Sequence, residues 1–374
     1  DVVRSRGLGD VYKRQKYDLG SSGEYTQGAG GGAILIRHNP RLLEIPDIWG
    51  VSTMPVHDFF KPRREITRKS IVETVLELAS DAGEKFKTNL SERIMRIIDK
   101  TDKRDHTLFE SETLKVHKDT PVFDGAFSNR CYSESVKQAF INFRSKAIAH
   151  GRYDPNDDDI LTEQWSRIIV HLPYAFQAKR MFPDVFRHDR RHLPTWSEIE
   201  AEIGPEPMRS DYPEGEPGES EFEAANDAYR RKISKTNQFK EFVEQRIEKT
   251  QRASSKVGNQ YTGSIFLALM SALESDLEDN QDMNGTRVGL CGYGSGAKAK
   301  VFEGVIQPDW KHIVSRFSLF ARIDERQSID KSVYEALHRG SKDSSVISPS
   351  AEFALVSIGA EGHLEGERRY SWVN

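Results

Sequence analysis

The sequence predicts a mixed α/β protein, and three stretches carry that expectation. WSRIIVHLPY reads as a short apolar strand over residues 166–170, stopped by a His and a Pro, with the helical AFQAKRMFPDVF directly behind it. SKVGNQYTGSIFLALMSALES reads as a turn leading into a buried helix, and TRVGLCGYGSGAKAKVFEGVI as strand, glycine turn, strand. At about 100–200 residues per domain, the 374 residues make two domains or one large unit with ample core.

The remaining elements are taken from the N-terminus onward. Residues 1–15 (DVVRSRGLGDVYKRQ) show no sustained period and join abruptly to KYDLGSSGEYTQG, so they are expected to be adapter or cloning sequence. AILIRH, from Ala33, is apolar and β-branched enough for a buried strand. Apolar residues recur at helical spacing across 71–100, and a second helix is expected to start near Ser133 and bury Val136, Phe140 and Phe143. Residues 202–223 hold eight acids, one Arg, four Pro and three Gly. Such a stretch has too little apolar surface to offset the entropy of ordering, which predicts a disordered insertion replaceable by a short linker. A polar helix is expected over 226–256, and EFALVSIG…ERRYSWV reads as a closing hairpin.

Composition narrows the function. The 54 Lys+Arg nearly balance 58 Asp+Glu, for a formal net charge of −4, where a nucleic-acid binder would carry a clustered basic excess. No apolar run reaches the ~18 residues of a membrane span. The two cysteines cannot build a disulfide framework, which implies a reducing compartment. Cys131 sits in a helical pattern and Cys291 in a strand, and both are expected to be packed thiols and not nucleophiles. The scattered histidines lack ligand spacing, so neither a metal nor a cofactor is expected.

Two polar residues stand where chemistry is done in α/β proteins. His171 ends the 166–170 strand, so it is either a hydrogen-bonded core residue or a general acid or base in the crevice at the strand ends. Asn259, in V-G-N-Q-Y-T-G-S, either makes an Asx turn or polarises a ligand carbonyl. Gly292-x-Gly294-x-x-Ala297 invites a dinucleotide reading, but the residues behind it alternate like a strand where that motif requires a helix. The run is therefore a tight turn, or a turn whose N–H groups approach a ligand carbonyl.

Taken in order, six blocks make the chain resemble the 3-hydroxy-3-methylglutaryl-CoA synthase family of the thiolase superfamily: GEYTQGAGGGAILI (23–36), HDFFKP (57–62), PVFDGAFSNRCY (121–132), VHLPY (170–174), KVGNQYTGSIFLALMSALE (256–274) and VGLCGYGSGA (288–297). The resemblance implies a thiolase-like layered α/β fold of two similar halves. Residues 16–150 would be the remainder of the N-terminal half and a connection, and 151–374 the C-terminal half. It implies condensation of acetyl-CoA with acetoacetyl-CoA in the mevalonate route, by a cytoplasmic homodimer. By motif match His171 protonates the acetoacetyl oxygen, Asn259 polarises the substrate, and Asp58 supports acetyl-enzyme formation. Thr26, Ser128, Tyr261, Gly294 and Ser295 match substrate contacts, and the Ser295 N–H matches the acyl-oxygen site. Arg167, Lys179 and Arg180 flank the His strand and are candidates for the CoA phosphates.

The chain departs from the family in two places. Phe176 stands where a Lys is usual, five positions after the His, which leaves Arg180 as the better phosphate candidate. The family's nucleophilic Cys and general-base Glu precede the GEYTQG block, and nothing in residues 1–15 resembles either, so this chain by itself is expected to be inactive. The alternatives are a β-branching synthase acting on carrier-protein thioesters, or a non-catalytic remnant that binds CoA or a partner.

Overall fold

The computed structural model describes residues 17–60 apart from 22 and 31, 63–78, 88, 90, 92–93, 113–117, 122–154, 160–342, 344–364 and 366–374. Residues 1–15 lie outside them. The chain divides into two compact units, Asp1–Glu325 and Arg326–Asn374.

In chain order the first unit has strands β1 (Leu43–Glu44), β2 (Trp49–Thr53), β3 (Phe59–Phe60) and β4 (Arg63–Thr67), then helix α1 (Arg68–Leu78). The rest of the helix expected over 71–100 falls largely outside the described residues. Strands β5 (Thr113–His117) and β6 (Val122–Phe123) precede α2 (Gly125–Ala149), followed by β7 (Trp165–Val170), α3 (Gln177–Arg190) and α4 (Trp196–Ile203). Then come α5 (Glu216–Ile233), α6 (Asn237–Arg246), α7 (Glu248–Val257), α8 (Ser264–Glu278), β8 (Arg287–Gly294), β9 (Lys298–Ile306), α9 (Trp310–Val314) and α10 (Leu319–Asp324).

The main sheet runs β1-β9-β8-β7, with β2 also on β9, and only β7 and β8 are parallel. Neighbouring residues of a strand face opposite sides of the sheet. On β8, the Tyr293 ring packs tilted against Tyr132 of α2, whereas Gly292 faces Ile265 of α8. The two helices therefore cover opposite faces, and the fold is layered α/β. Gly50 lets β2 lie against α2: a Cβ there would meet the Ala139 carbonyl at 2.0 Å.

Helix α2 starts earlier than expected. Asp124 caps it, accepting the Phe127 N–H at 2.7 Å, and Ser133 is buried in mid-helix. Val136, Phe140 and Phe143 are buried, as their spacing predicts. AILIRH forms no strand, and Ile34, Leu35 and Ile36 are exposed. An apolar run becomes a strand only when a neighbour takes its backbone hydrogen bonds, and among the described residues none does.

The 202–223 stretch is also corrected. It contains the end of α4, a helical turn at Arg209–Asp211 and the first two turns of α5. Two of its acids have cationic partners: Glu206 pairs with Arg187 and Arg191, and Glu219 with Arg209, while Tyr212 packs on Phe222. The expected polar helix over 226–256 is three helices, the second capped by Thr236.

Two buried charge clusters pin the sheet. Glu303 on β9 accepts both sides of the Arg152 fork at 2.8 and 2.9 Å and the Trp165 indole at 2.7 Å. Arg167 on β7 holds Asp276 of α8, which Lys249 of α7 also reaches at 2.7 Å. The second unit comprises α11 (Lys331–Arg339) and the antiparallel hairpin of β10 (Glu352–Ile358) and β11 (Arg368–Val373), as the sequence predicts.

Candidate active site

The site grows out of the parallel pairing of β7 and β8. Val170 lies opposite Cys291 and the His171 N–H donates to the Cys291 carbonyl at 2.9 Å. Both strands thus end at one edge, with His171 beside the turn that β8 runs into. That turn is a tight antiparallel reversal, Gly294 opposite Lys298, which excludes the dinucleotide reading. Gly294, Ser295 and Gly296 are all exposed.

Asn259 approaches from α7. The Asn259 N–H donates to the Thr26 carbonyl at 2.9 Å, and the two backbones touch because both carry glycine there. A Cβ on Gly28 would meet the Asn259 carbonyl at 2.6 Å, and Gly258, at φ +85°, abuts Gln27. Asn259 is buried, and its Oδ1 accepts from the Tyr261 N–H at 2.8 Å and from the Ser264 hydroxyl at 3.3 Å. It therefore makes the Asx turn, and its amide NH2 is the part left to donate to a ligand.

Tyr261 has φ +51°, the left-handed region that a bulky residue rarely enters. Its backbone lies beside the His171 ring and favours the protonated imidazole. Burial nonetheless lowers the His171 pKa to about 4, so the resting imidazole is neutral at pH 7.

Asp58 is completely buried. The β3–β6 pairing sets it near the start of α2, and its two oxygens accept from the Tyr293 hydroxyl at 2.6 Å and the Gly296 N–H at 2.8 Å. Tyr132 connects the groups: its hydroxyl donates to the His171 carbonyl at 2.5 Å, and its ring lies 4.3 Å from that of Tyr293. Neither tyrosine was singled out in the sequence. Tyr293 stands inside GYGSG and Tyr132 closes PVFDGAFSNRCY, but nothing local marks their mutual contact.

Other expectations fare differently. Ser128 lies in the first turn of α2, one turn before Tyr132. Arg167 is 7% exposed, and its guanidinium is occupied by Asp276, Gln281 and the carbonyls of Ser166 and Gln245, which removes it from phosphate binding. Lys179 pairs with Glu248, while Arg180 lies over the Tyr174 ring. Both cysteines are buried, and burial pushes the Cys291 thiol up to about 12 and raises that of Cys131. Cavities of about 190 and 300 Å³ lie elsewhere, beside Arg187 and beside Arg167, and neither is lined by His171, Asn259 or Ser295. Among the described residues no group of three or more His, Cys, Asp or Glu is placed to hold a metal ion, and no helix is long and apolar enough to cross a membrane.

A family model for the C-terminal part of hydroxymethylglutaryl-coenzyme A synthase matches residues 113–344. The hydroxymethylglutaryl-CoA synthase of Haloferax volcanii is 26% identical over 363 residues, covering 96% of this chain and 65% of its own. That of Saccharomyces cerevisiae is 28% identical over 222 residues, covering 58% and 42%. A solved structure, MvaS in complex with 3-hydroxy-3-methylglutaryl coenzyme A, superposes with a TM-score of 0.63 at 22% identity, over 96% of this chain and 65% of that one. These likenesses define the class first: the fold is that of a thiolase-like α/β protein. More particularly, the chain belongs to the hydroxymethylglutaryl-CoA synthase family. It spans less than two thirds of the length of these two relatives.

Proposed function

We propose that the chain carries the condensing part of a hydroxymethylglutaryl-CoA synthase site, where the carbanion of an acetyl thioester attacks the ketone of acetoacetyl-CoA. The observation that carries this reading is the turn shared by Asn259 and Tyr261. It commits the Asn259 oxygen internally, leaves its NH2 to donate, and brings the Tyr261 backbone beside the His171 ring. Condensation forms a carbon–carbon bond and moves the carbonyl π pair onto oxygen, giving an alkoxide. An amide donor beside that oxygen stabilises charge that is absent from the ground state. The same negative charge raises the proton affinity of His171, so its imidazole takes a proton from solvent water and passes it to the alkoxide.

The N–H of Ser295, an exposed residue on a turn of small residues, is the donor for the thioester oxygen. Arg180 is the remaining candidate for a CoA phosphate. The nucleophile is not among this chain's cysteines, since burial holds both as neutral thiols; in the family that Cys and the general-base Glu precede the GEYTQG block. The same reading carries a role in the mevalonate route, a homodimer, and a cytoplasmic location, which is how the Mus musculus and Cricetulus griseus relatives are described.

Calorimetric titration tests the proposal. Acetoacetyl-CoA is expected to bind and a nicotinamide dinucleotide to leave no heat. A chain that binds no CoA thioester, or binds both alike, does not have this function.

A further inference from the structure

We propose that Tyr293 is a positioning residue which, through Asp58, holds the 294–296 turn in the shape that receives an acyl oxygen; this rests on the condensing-site reading above. Asp58 is 0% exposed, and among the described residues no Lys or Arg pairs with it. A buried carboxylate without a cation depends on hydrogen-bond donors. It has two, and they come from opposite ends of the turn: the Tyr293 hydroxyl at 2.6 Å before it and the Gly296 N–H at 2.8 Å within it.

The geometry fixes which amide remains available. The Gly296 N–H is consumed by Asp58, which leaves the N–H of exposed Ser295 as the turn's donor. Gly296 and Ala297 sit at φ +83° and +49°; glycine enters this region freely, whereas alanine there needs its surroundings to hold it. The imposed contacts are Asp58 on Gly296 and the Met54 N–H on the Ala297 carbonyl at 2.9 Å. The Tyr293 ring also lies on Tyr132, which bonds the His171 backbone, so one tyrosine pair references the turn to the strand end that bears His171.

Tyr293→Phe keeps the ring and deletes the donor, and Asp58→Asn keeps the volume and weakens the acceptor. Hydrogen exchange followed by mass spectrometry on the full 374-residue chain should show faster exchange over 293–297 in both variants, with β7 and β9 unchanged. Acetoacetyl-CoA, which presents an acyl oxygen, should bind each variant about tenfold more weakly, the worth of one such hydrogen bond. Free CoA, which presents none, should bind within about twofold of the parent. A merely structural role would weaken both ligands together. Equal loss for both ligands, or unchanged exchange at the turn, overturns the proposal. If the parent chain binds neither ligand, the function reading fails, and the exchange measurement alone decides whether Tyr293 holds the turn.

Discussion

Arg167 on the last parallel strand pair holds Asp276 of α8 through two hydrogen bonds, Nε to Oδ2 at 3.0 Å and Nη2 to Oδ1 at 2.5 Å, with the carboxylate wholly buried. Removing one member of such a pair leaves a charge in a poorly solvated interior, which costs about 3–5 kcal/mol. Asp276→Ala should lower the urea unfolding free energy by that amount. Arg167→Leu should be milder, since Lys249 still neutralises Asp276. An Arg167 variant that folds normally but loses CoA binding would return this residue to the phosphate site.

Stability should depend on pH through His171 and His188. Burial lowers both pKa values to about 4, first among the causes in each case, with Arg191 and other nearby cations adding to the effect at His188. The unfolded chain takes up a proton near pH 6.5, whereas the folded chain refuses it until about 4. Their contribution is therefore complete above about pH 6.5 and is lost as pH falls toward about 4, with a slope of at most about 1.4 kcal/mol per pH unit for each proton. Comparing the parent with His171→Gln by denaturant titration across about pH 4–7 should show one proton less of slope in the variant.

Neither thiol should react in the folded protein. Maleimide labelling near neutral pH should be slow for Cys131 and Cys291 and rapid once urea unfolds the chain. Rapid native labelling of Cys291 would contradict its burial at the centre of β8.

Replacing 202–223 by a short Gly/Ser linker should destabilise the fold. It removes the Glu206 contacts to Arg187 and Arg191 and the packing of Gly218 on Pro213, and it cuts α5 short. Several partly buried interactions of about 0.5–1.5 kcal/mol each are at stake, so the unfolding free energy should drop by about 2 kcal/mol or more. An unchanged value would restore the disordered insertion that the composition suggested.

In a longer chain that supplies a nucleophilic Cys and a base Glu, His171→Ala should still form acetyl-enzyme, while condensation slows by about 10²–10⁴-fold. Rapid-quench trapping of the acetyl intermediate separates the two steps. Equal condensation rates in parent and variant would remove His171 from the reaction.

Sequence by itself determined the elements whose signals are local. The β7 strand and its helix, the apolar α8 and the β8–β9 hairpin come from periodicity and turn residues that act over a few positions. The six blocks also contain His171, Asn259, Asp58 and Ser295. Tertiary structure alone decided what each of them touches. AILIRH has strand composition but no paired edge, and the acidic 202–223 segment orders on cations supplied by α3. Arg167 meets Asp276 across 109 positions, and Tyr293 meets Asp58 across 235. Hydrogen bonds and ion pairs between distant segments depend on the closed sheet and its helical layers, and no local pattern of residues encodes their partners.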